Sequence, residues 1–171
     1  LGIIGFGRIG SALSSYALGC GMKVIAHDKQ PISSTMPVHF HTGQSFEVEI
    51  ESGSMDDIFT KSDYISIHIP KQNDGSAVIS AREFAKMKDG VRIVNAARGG
   101  VIDEDELLKA IESNKVAYCA LDVFENEPSP RKDLLESKRI ATTPHIGAAT
   151  LEAQDRIGTE MADKVKEALL G

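Results

Sequence analysis

No apolar run in the sequence approaches the roughly 20 residues that span a bilayer, so no membrane-spanning helix is expected. Blocks of Lys or Arg are missing too. With a net charge of −6, charge alone gives no reason to expect a nucleic-acid or anionic-membrane surface. Cysteine is scarce: Cys20 and Cys119 lie far apart, each in apolar surroundings. They read as reduced core thiols of a cytoplasmic protein, not as a disulfide or a redox motif. The chain opens with neither a signal-peptide pattern nor an initiator Met, and Leu1 already begins the first apolar run. That start predicts a piece of a longer protein. What is present is the composition of a soluble globular protein, 42% apolar and 26% charged over 171 residues. That length suits one domain with a full core.

The coarse pattern alternates. LGIIG (1–5) is a short apolar run, and GRIGSALSSYALGCG (7–21) sets Ile9, Leu13, Tyr16 and Ala17 at helical spacing before a Gly. KVIAHD (23–28) predicts a strand, SMDDIFTKS (54–62) a short helix, and DYISIHIP (63–70) a strand stopped by proline. Ser80 and Glu83 offer a capping box to SAREFAKM, and Asp103 and Glu106 offer one to DEDELLKAIES. VRIVNAA (91–97), VAYCALD (116–122) and RIATT (139–143) are further strands, with a long helix from about Gly147 to Leu170. Strands alternating with helices predict βαβ units, hence an α/β fold with a doubly wound parallel sheet covered on both faces. Only 29–53 is irregular; it holds Pro31, Pro37, Gly43 and Gly53, with SFEVEI as a weak strand.

Gly5-Phe6-Gly7-Arg8-Ile9-Gly10 fits G-x-G-x-x-G. The pattern is weak alone, but here it follows a strand, opens a helix, and precedes a second strand ending in Asp28. Glycines there allow a tight turn and close approach of a pyrophosphate, and the helix N-terminus supplies N–H groups and positive charge. Asp28 would accept from the adenosine ribose and repel a 2′-phosphate, which favours NAD over NADP. Lys29 beside it weakens that preference. The plain alternative is a glycine-rich turn without a ligand.

Ligands of open parallel sheets bind beyond the carboxyl ends of the strands. The polar residues just past those ends are His68 with Pro70, then Arg98, then Asp122 and Glu127, then His145. Arg98 lies among small residues, Ala97, Gly99 and Gly100, which leave room for a ligand met at close range. Its guanidinium can clamp a carboxylate with two parallel hydrogen bonds. His145 is a candidate acid/base, and a carboxylate such as Glu127 would favour its imidazolium. Each has a plain reading as well: a surface ion pair for Arg98, a satisfied structural residue for His145 or His68, a turn cap for Asp122, a solvated acid for Glu127. His39-x-His41 would put two imidazoles on one strand face, yet no third ligand is near, so no metal is expected.

GFGRIG, HIP (68–70), VNAARGGVIDEDELLKAI, ALDVFENEP and TPHIGAAT, in this order, cover nearly the whole chain. Together they resemble the D-isomer-specific 2-hydroxyacid dehydrogenases, a family that includes D-3-phosphoglycerate dehydrogenase. The resemblance implies a Rossmann-type NAD-binding domain over 1–171. It implies that Arg98 binds the substrate carboxylate, that His145 is the general acid/base and that Glu127 is its partner. Asp122 would hold the nicotinamide carboxamide, Arg8 and Ile9 would meet the pyrophosphate, and Asp28 the ribose. His68, Ile69, Pro70, Ala96, Ala97 and Gly147 would line the cofactor cleft. Hydride would pass between nicotinamide C4 and C2 of a small 2-hydroxy or 2-keto acid. Phosphoglycerate, and so a place in serine biosynthesis, is favoured over glyoxylate, hydroxypyruvate or lactate. A homodimer through the cofactor domains is implied as well.

The chain departs from the family pattern in places. Lys71-Gln72-Asn73-Asp74-Gly75-Ser76 replaces the usual Leu-Thr-x-x-Thr, Lys29 stands where proline is common, and 29–53 matches poorly. A second domain that completes the family's substrate pocket has no counterpart in the chain, so NAD binding with little turnover is expected of these residues alone. Two other classes fit in part. NAD-sensing scaffolds resembling the C-terminal-binding-protein corepressors could keep the same triad. An adenosylhomocysteinase-like domain would not readily explain Arg98, Glu127 and His145 in this order.

Overall fold

Each predicted strand forms, trimmed to the residues that pair. The computed structural model describes residues 1–33 and 35–170. In chain order the elements are β1 (Gly2–Ile4), α1 (Arg8–Gly19), β2 (Ile25–His27), β3 (Thr35–His39), β4 (Ser45–Glu49), β5 (Glu51–Ser52), α2 (Met55–Lys61) and β6 (Tyr64–Ile67). They continue as α3 (Ala81–Lys86), β7 (Val91–Asn95), α4 (Glu104–Glu112), β8 (Val116–Leu121), α5 (Lys132–Glu136), β9 (Ile140–Thr142) and α6 (Leu151–Leu170). The main sheet is parallel, in the order β5-β2-β1-β6-β7-β8-β9. The chain runs outward from β1 through β2 to β5, then returns to β6 on the other side of β1. That reversal makes a crevice at the carboxyl ends of β1 and β6, where doubly wound sheets bind ligands.

Alternation along β1 divides the core. Ile4 joins a large cluster with Ile58, Phe59, Ile67, Phe84, Ile93 and Leu107, beneath α2 to α5. Ile3 joins a smaller one with Ala17, Ala26, Met36 and Ile50. The expectation of cover on both faces fails over β6 to β8. Their second face leaves Tyr64, Val94 and Tyr118 at 41%, 42% and 56% exposure, because α1 and β3 reach only the β1–β2 side. α6 has no buried residue, and the Arg8–Glu160 ion pair ties it to the start of α1.

Several local expectations change. The buried face of α1 is Gly10, Ser14 and Ala17, while Ile9 and Tyr16 point outward, 69% and 73% exposed. Small residues face inward because the helix crosses close to the sheet: a Cβ on Gly10 would stand 2.1 Å from the Gly5 carbonyl oxygen. Residues 29–53 are not merely irregular. β3 and β4 pair antiparallel where a crossover helix is usual, and β3 packs beside α1, with Met36 buried in the smaller core cluster and Val38 buried as well. β3 ends at His39, so His41 lies in the turn and the two imidazoles do not share a strand face. α5, only five residues long, carries no clear sequence signal. α6 begins at Leu151, not near Gly147, because the preceding turn is held by Asp122. Cys119 is buried with its thiol pushed up to about 12, but Cys20 caps the exposed end of α1 and is no core residue.

Caps form with one exception. The Glu83 carboxylate accepts from the Ser80 N–H (3.1 Å) and hydroxyl (2.9 Å). Asp103 accepts from the Glu106 N–H at 3.0 Å, but the return arm is missing. The Asp103 N–H donates to the Ile79 carbonyl and Glu106 pairs with Lys109 instead. At α2, the Ser54 hydroxyl and N–H donate to the Asp57 carboxylate at 2.6 and 2.9 Å and, with Lys61, hold its carboxyl down at about 2. A depressed carboxyl stabilises the fold fully above its ordinary range near 3.9, and that contribution is lost as pH falls through about 2. In Ser54→Ala the Asp57 titration should therefore move upward, as followed by carboxyl carbon NMR. An unmoved midpoint would show that Lys61 alone sets it.

Candidate active site

The glycine loop leaves β1 at Gly5, whose φ of +93° favours glycine. Its N–H donates to the His27 carbonyl at 2.8 Å, and a Cβ there would lie 2.6 Å from the His68 carbonyl oxygen. Gly10 is closed in from behind, as described above. Gly7 is different: a Cβ on it would meet nothing within 4 Å. The first turn of α1 carries no acid, and its leading N–H groups lack intrahelical partners. Open space at Gly7 beside those donors fits a dinucleotide pyrophosphate. From the next strand, Asp28 braces the loop: Oδ2 accepts from the Phe6 N–H at 2.6 Å and Oδ1 from the Gln30 N–H at 3.0 Å. The Gln30 N–H foremost, then those of Phe6 and Lys29, hold its carboxyl below the usual range against the effect of burial. The backbones of Arg8 and Ile9 open α1 at this loop. The Arg8 side chain turns aside to α6, where Nη1 meets both Glu160 oxygens at 2.8 and 2.9 Å.

His68, Ile69 and Pro70 follow β6, next to β1. The His68 N–H donates to the Ile4 carbonyl at 2.7 Å, and Ile69 backs onto Gly5. His68 Nε2 lies 2.9 Å from the Ser66 hydroxyl, and burial pushes its imidazole below the usual range, toward the neutral form.

After β7 the chain makes a tight turn organised by Asn95, 2% exposed. Asn95 Oδ1 accepts from the Ala97 N–H and Nδ2 donates to the Arg98 carbonyl, both at 3.1 Å. This turn aims Arg98 into solvent. Its guanidinium donates to the Ala97 carbonyl at 2.7 Å and forms no ion pair among the described residues, so it is not a surface salt-bridge residue here. Gly99 is required for another reason: its Cβ would fall 1.8 Å from the Phe124 carbonyl oxygen. The arginine turn thus packs directly on the loop after β8.

That loop carries Asp122 and Glu127. Asp122 is 7% exposed and fastens the segment after β9: Oδ1 accepts from the Thr143 hydroxyl (2.5 Å) and the Ile146 N–H (2.9 Å), Oδ2 from the Gly147 N–H (2.8 Å). Burial opposes its ionisation, but these three donors outweigh it and keep the carboxyl low. His145 sits inside the fastened segment at φ +54°, a left-handed conformation uncommon outside glycine. Its Nδ1 is 2.7 Å from Glu127 Oε2, while Glu127 Oε1 accepts from the Phe124 N–H at 2.9 Å. The His145 hydrogen bond, then that N–H, hold the Glu127 carboxyl below its usual range. With Nδ1 engaged, Nε2 is the nitrogen free for a substrate.

Beside this pair, on the uncovered sheet face, lies an open groove of about 360 Å³ lined by Val94, Ala96, Ala120, Asp122, Ile146 and Gly147. It is mostly apolar, as a flat heteroaromatic ring requires. Sequence reasoning missed Asn95 and Thr143. An Asn before small residues at a strand end is a turn signal that points to the first; nothing local points to the second.

The family described as "D-isomer specific 2-hydroxyacid dehydrogenase, NAD binding domain" matches residues 1–147. A hydroxypyruvate reductase of Thermotoga maritima is 43% identical over 168 residues, covering 96% of this chain and 51% of that protein. A D-3-phosphoglycerate dehydrogenase of Mycobacterium leprae is 40% identical over 171 residues, all of this chain and 31% of that protein. The crystal structure of a glyoxylate reductase from Paecilomyes thermophila superposes with a TM-score of 0.83 at 36% identity, covering 98% of this chain and 48% of that one. The chain thus spans about half, or less, of the length of these relatives.

Proposed function

Because this chain belongs to the D-isomer-specific 2-hydroxyacid dehydrogenases, as their NAD-binding domain, we propose that residues 1–171 carry the acid/base machinery for oxidising a 2-hydroxy acid or reducing its 2-keto acid within a longer protein. The observation that carries this reading is the His145–Glu127 pair at 2.7 Å, on the same strand-end edge as the glycine loop. When bound, the cofactor supplies the reducing equivalent exchanged with substrate C2. The residues of the chain do the rest. The glycine loop and the first turn of α1, through the Arg8 and Ile9 amides, hold the pyrophosphate, and Asp28 holds the ribose. His68, Ile69, Pro70, Ala96, Ala97 and Gly147 wall the cleft. Asp122 shapes its nicotinamide end while keeping the His145 segment in place.

Arg98 clamps the substrate carboxylate and polarises the adjacent carbonyl. His145 gives a proton to the carbonyl oxygen from Nε2, or takes one from the hydroxyl in the reverse direction. Glu127 fixes Nδ1 as the donor and stabilises the imidazolium. Hydroxypyruvate and 3-phosphohydroxypyruvate, the 2-keto acid that oxidation of 3-phosphoglycerate yields, are the substrates to try first, since relatives at 43% and 40% identity are named hydroxypyruvate reductase and D-3-phosphoglycerate dehydrogenase. A dimer through this domain and a cytoplasmic setting belong to the same proposal; among the described residues no helix is long and apolar enough to cross a membrane.

The test begins with the 171-residue chain titrated with NADH and NADPH by nicotinamide fluorescence. NADH should bind at least ~10-fold tighter, because Asp28 opposes a 2′-phosphate. Equal affinity would remove Asp28 as the selector. The longer protein is then assayed with the two 2-keto acids; NADH binding without turnover of either, or of glyoxylate, would overturn the proposed activity.

A further inference from the structure

Glu104 has no part in the site as described, yet its setting is unusual. It opens α4, where a carboxylate normally stays in water and complements the helix dipole. Here it is only 5% exposed. Oε1 accepts from the Glu125 N–H at 2.8 Å, across 21 residues of sequence. Oε2 is buried and has no partner among the described residues. A half-satisfied buried carboxyl costs stability, so its retention needs a return elsewhere.

The partner it holds lies between two catalytic segments. The Phe124–Glu125 peptide is gripped on one side by Glu104 and on the other by Gly99, whose missing Cβ would fall 1.8 Å from the Phe124 oxygen and 3.0 Å from the Glu125 nitrogen. Gly99 follows Arg98 directly. The Phe124 N–H, at the same peptide's leading residue, donates to Glu127 Oε1, and Glu127 Oε2 meets His145. Glu125 is itself exposed, so its amide would otherwise face water in a loop free to drift.

We propose that Glu104 is a positioning residue: by holding the Phe124–Glu125 peptide against Gly99, it sets both the Glu127–His145 hydrogen bond and the placement of Arg98. The inference rests on the acid/base reading of His145 given above. Burial pushes the Glu104 carboxyl up from its usual range, which the hydrogen bond from Glu125 only partly offsets. An amide oxygen can accept that same hydrogen bond, so the geometry does not depend on charge at position 104.

The experiment is ring-nitrogen NMR of His145, with amide hydrogen exchange at Glu125, on the 171-residue chain. In the wild type, His145 should show the Nδ1–H form bonded to Glu127, and the Glu125 amide should exchange at least ~10-fold slower than a free loop amide. Glu104→Gln should keep both signatures. Glu104→Leu should lose both, with His145 passing to a mixture of tautomers and Glu125 exchange rising about 10-fold. A Glu104→Leu chain that keeps the His145 signature, or a Glu104→Gln chain that loses it, overturns the proposal. Free-loop exchange at Glu125 in the wild type overturns it without any variant, which covers a Glu104→Leu chain that does not fold. If wild-type His145 lacks the Nδ1–H signature, the pair itself is refuted and this inference falls with it. Loss confined to the Glu104 variants' predictions leaves the acid/base reading standing.

Discussion

Gly7→Ala should leave the domain folded and weaken NADH binding by roughly 100-fold. The fold should tolerate it because the new methyl would meet nothing within 4 Å, and φ at Gly7 is −78°, an ordinary value for any residue. Binding should not, because the open space beside the first turn of α1 is where a pyrophosphate would reach the backbone N–H groups. Each hydrogen bond from an N–H to a charged oxygen is worth about 1.5–3 kcal/mol, so displacing one or two gives a loss of that order. Gly10→Ala provides the contrast. Its Cβ would stand 2.1 Å from a backbone carbonyl oxygen that cannot swing away, so the expected result is a less stable domain, by about 1–3 kcal/mol or more. Thermal unfolding and NADH titration on the two variants separate the roles. If Gly7→Ala binds NADH normally, the pyrophosphate does not lie where the loop geometry puts it.

His145→Asn in the longer protein should lower turnover by roughly 10²–10⁴ while NADH binding persists. Asparagine is the informative replacement, because it tolerates the left-handed backbone at φ +54° and so removes the imidazole without adding strain. Glu127→Gln should cost less, since it keeps a hydrogen-bonding side chain beside Nδ1 but loses the charge. The pH dependence has a definite sign. The Glu127 carboxyl is held low by His145, so the pair is intact above the ordinary glutamate range near 4.3 and breaks as pH falls through Glu127's own lowered value. Activity that depends on the pair should follow that acid limb, and Glu127→Gln should abolish it. Equal turnover by His145→Asn and wild type would leave the chain a cofactor-binding domain with no acid/base role.

The two variants probe features that differ in how they are encoded. The glycine loop is local. Three glycines, the strand before them and the helix after them lie within 19 residues, so the spacing itself reports a turn, an open approach and a close packing contact. The strands are legible for a similar reason, since each buries an apolar run whose hydrogen bonds the chain must place in a sheet. The placement of Arg98, Asp122, Glu127 and His145 at strand ends also follows from sequence, because a parallel sheet brings all its carboxyl ends to one edge.

Other features depended on partners far along the chain. Asp122 looks like a ligand contact or a turn cap in sequence, but its three donors come from residues 143, 146 and 147. Nothing in ALDVFENEP announces that. Glu104 reads as one more first-turn acid until Glu125 folds over it. Of the apolar face expected of α1, Ala17 is buried and Leu13 packs partly against the core, but Ile9 and Tyr16 turn outward, because the helix crosses close to β1 at Gly10. Residues 35–49 form a hairpin: the weak strand expected at SFEVEI is β4, but its partner β3 carries no signal of its own, since strand pairing is set by a partner and not by local periodicity. The sequence by itself determined the sheet, the nucleotide loop and the set of residues able to do acid/base chemistry, all of which rest on short-range pattern. Glu127 as the partner of His145 was legible too; only the tertiary structure decided that Asp122 fastens the histidine's segment through Thr143, Ile146 and Gly147, because hydrogen bonds between distant segments have no short-range signature.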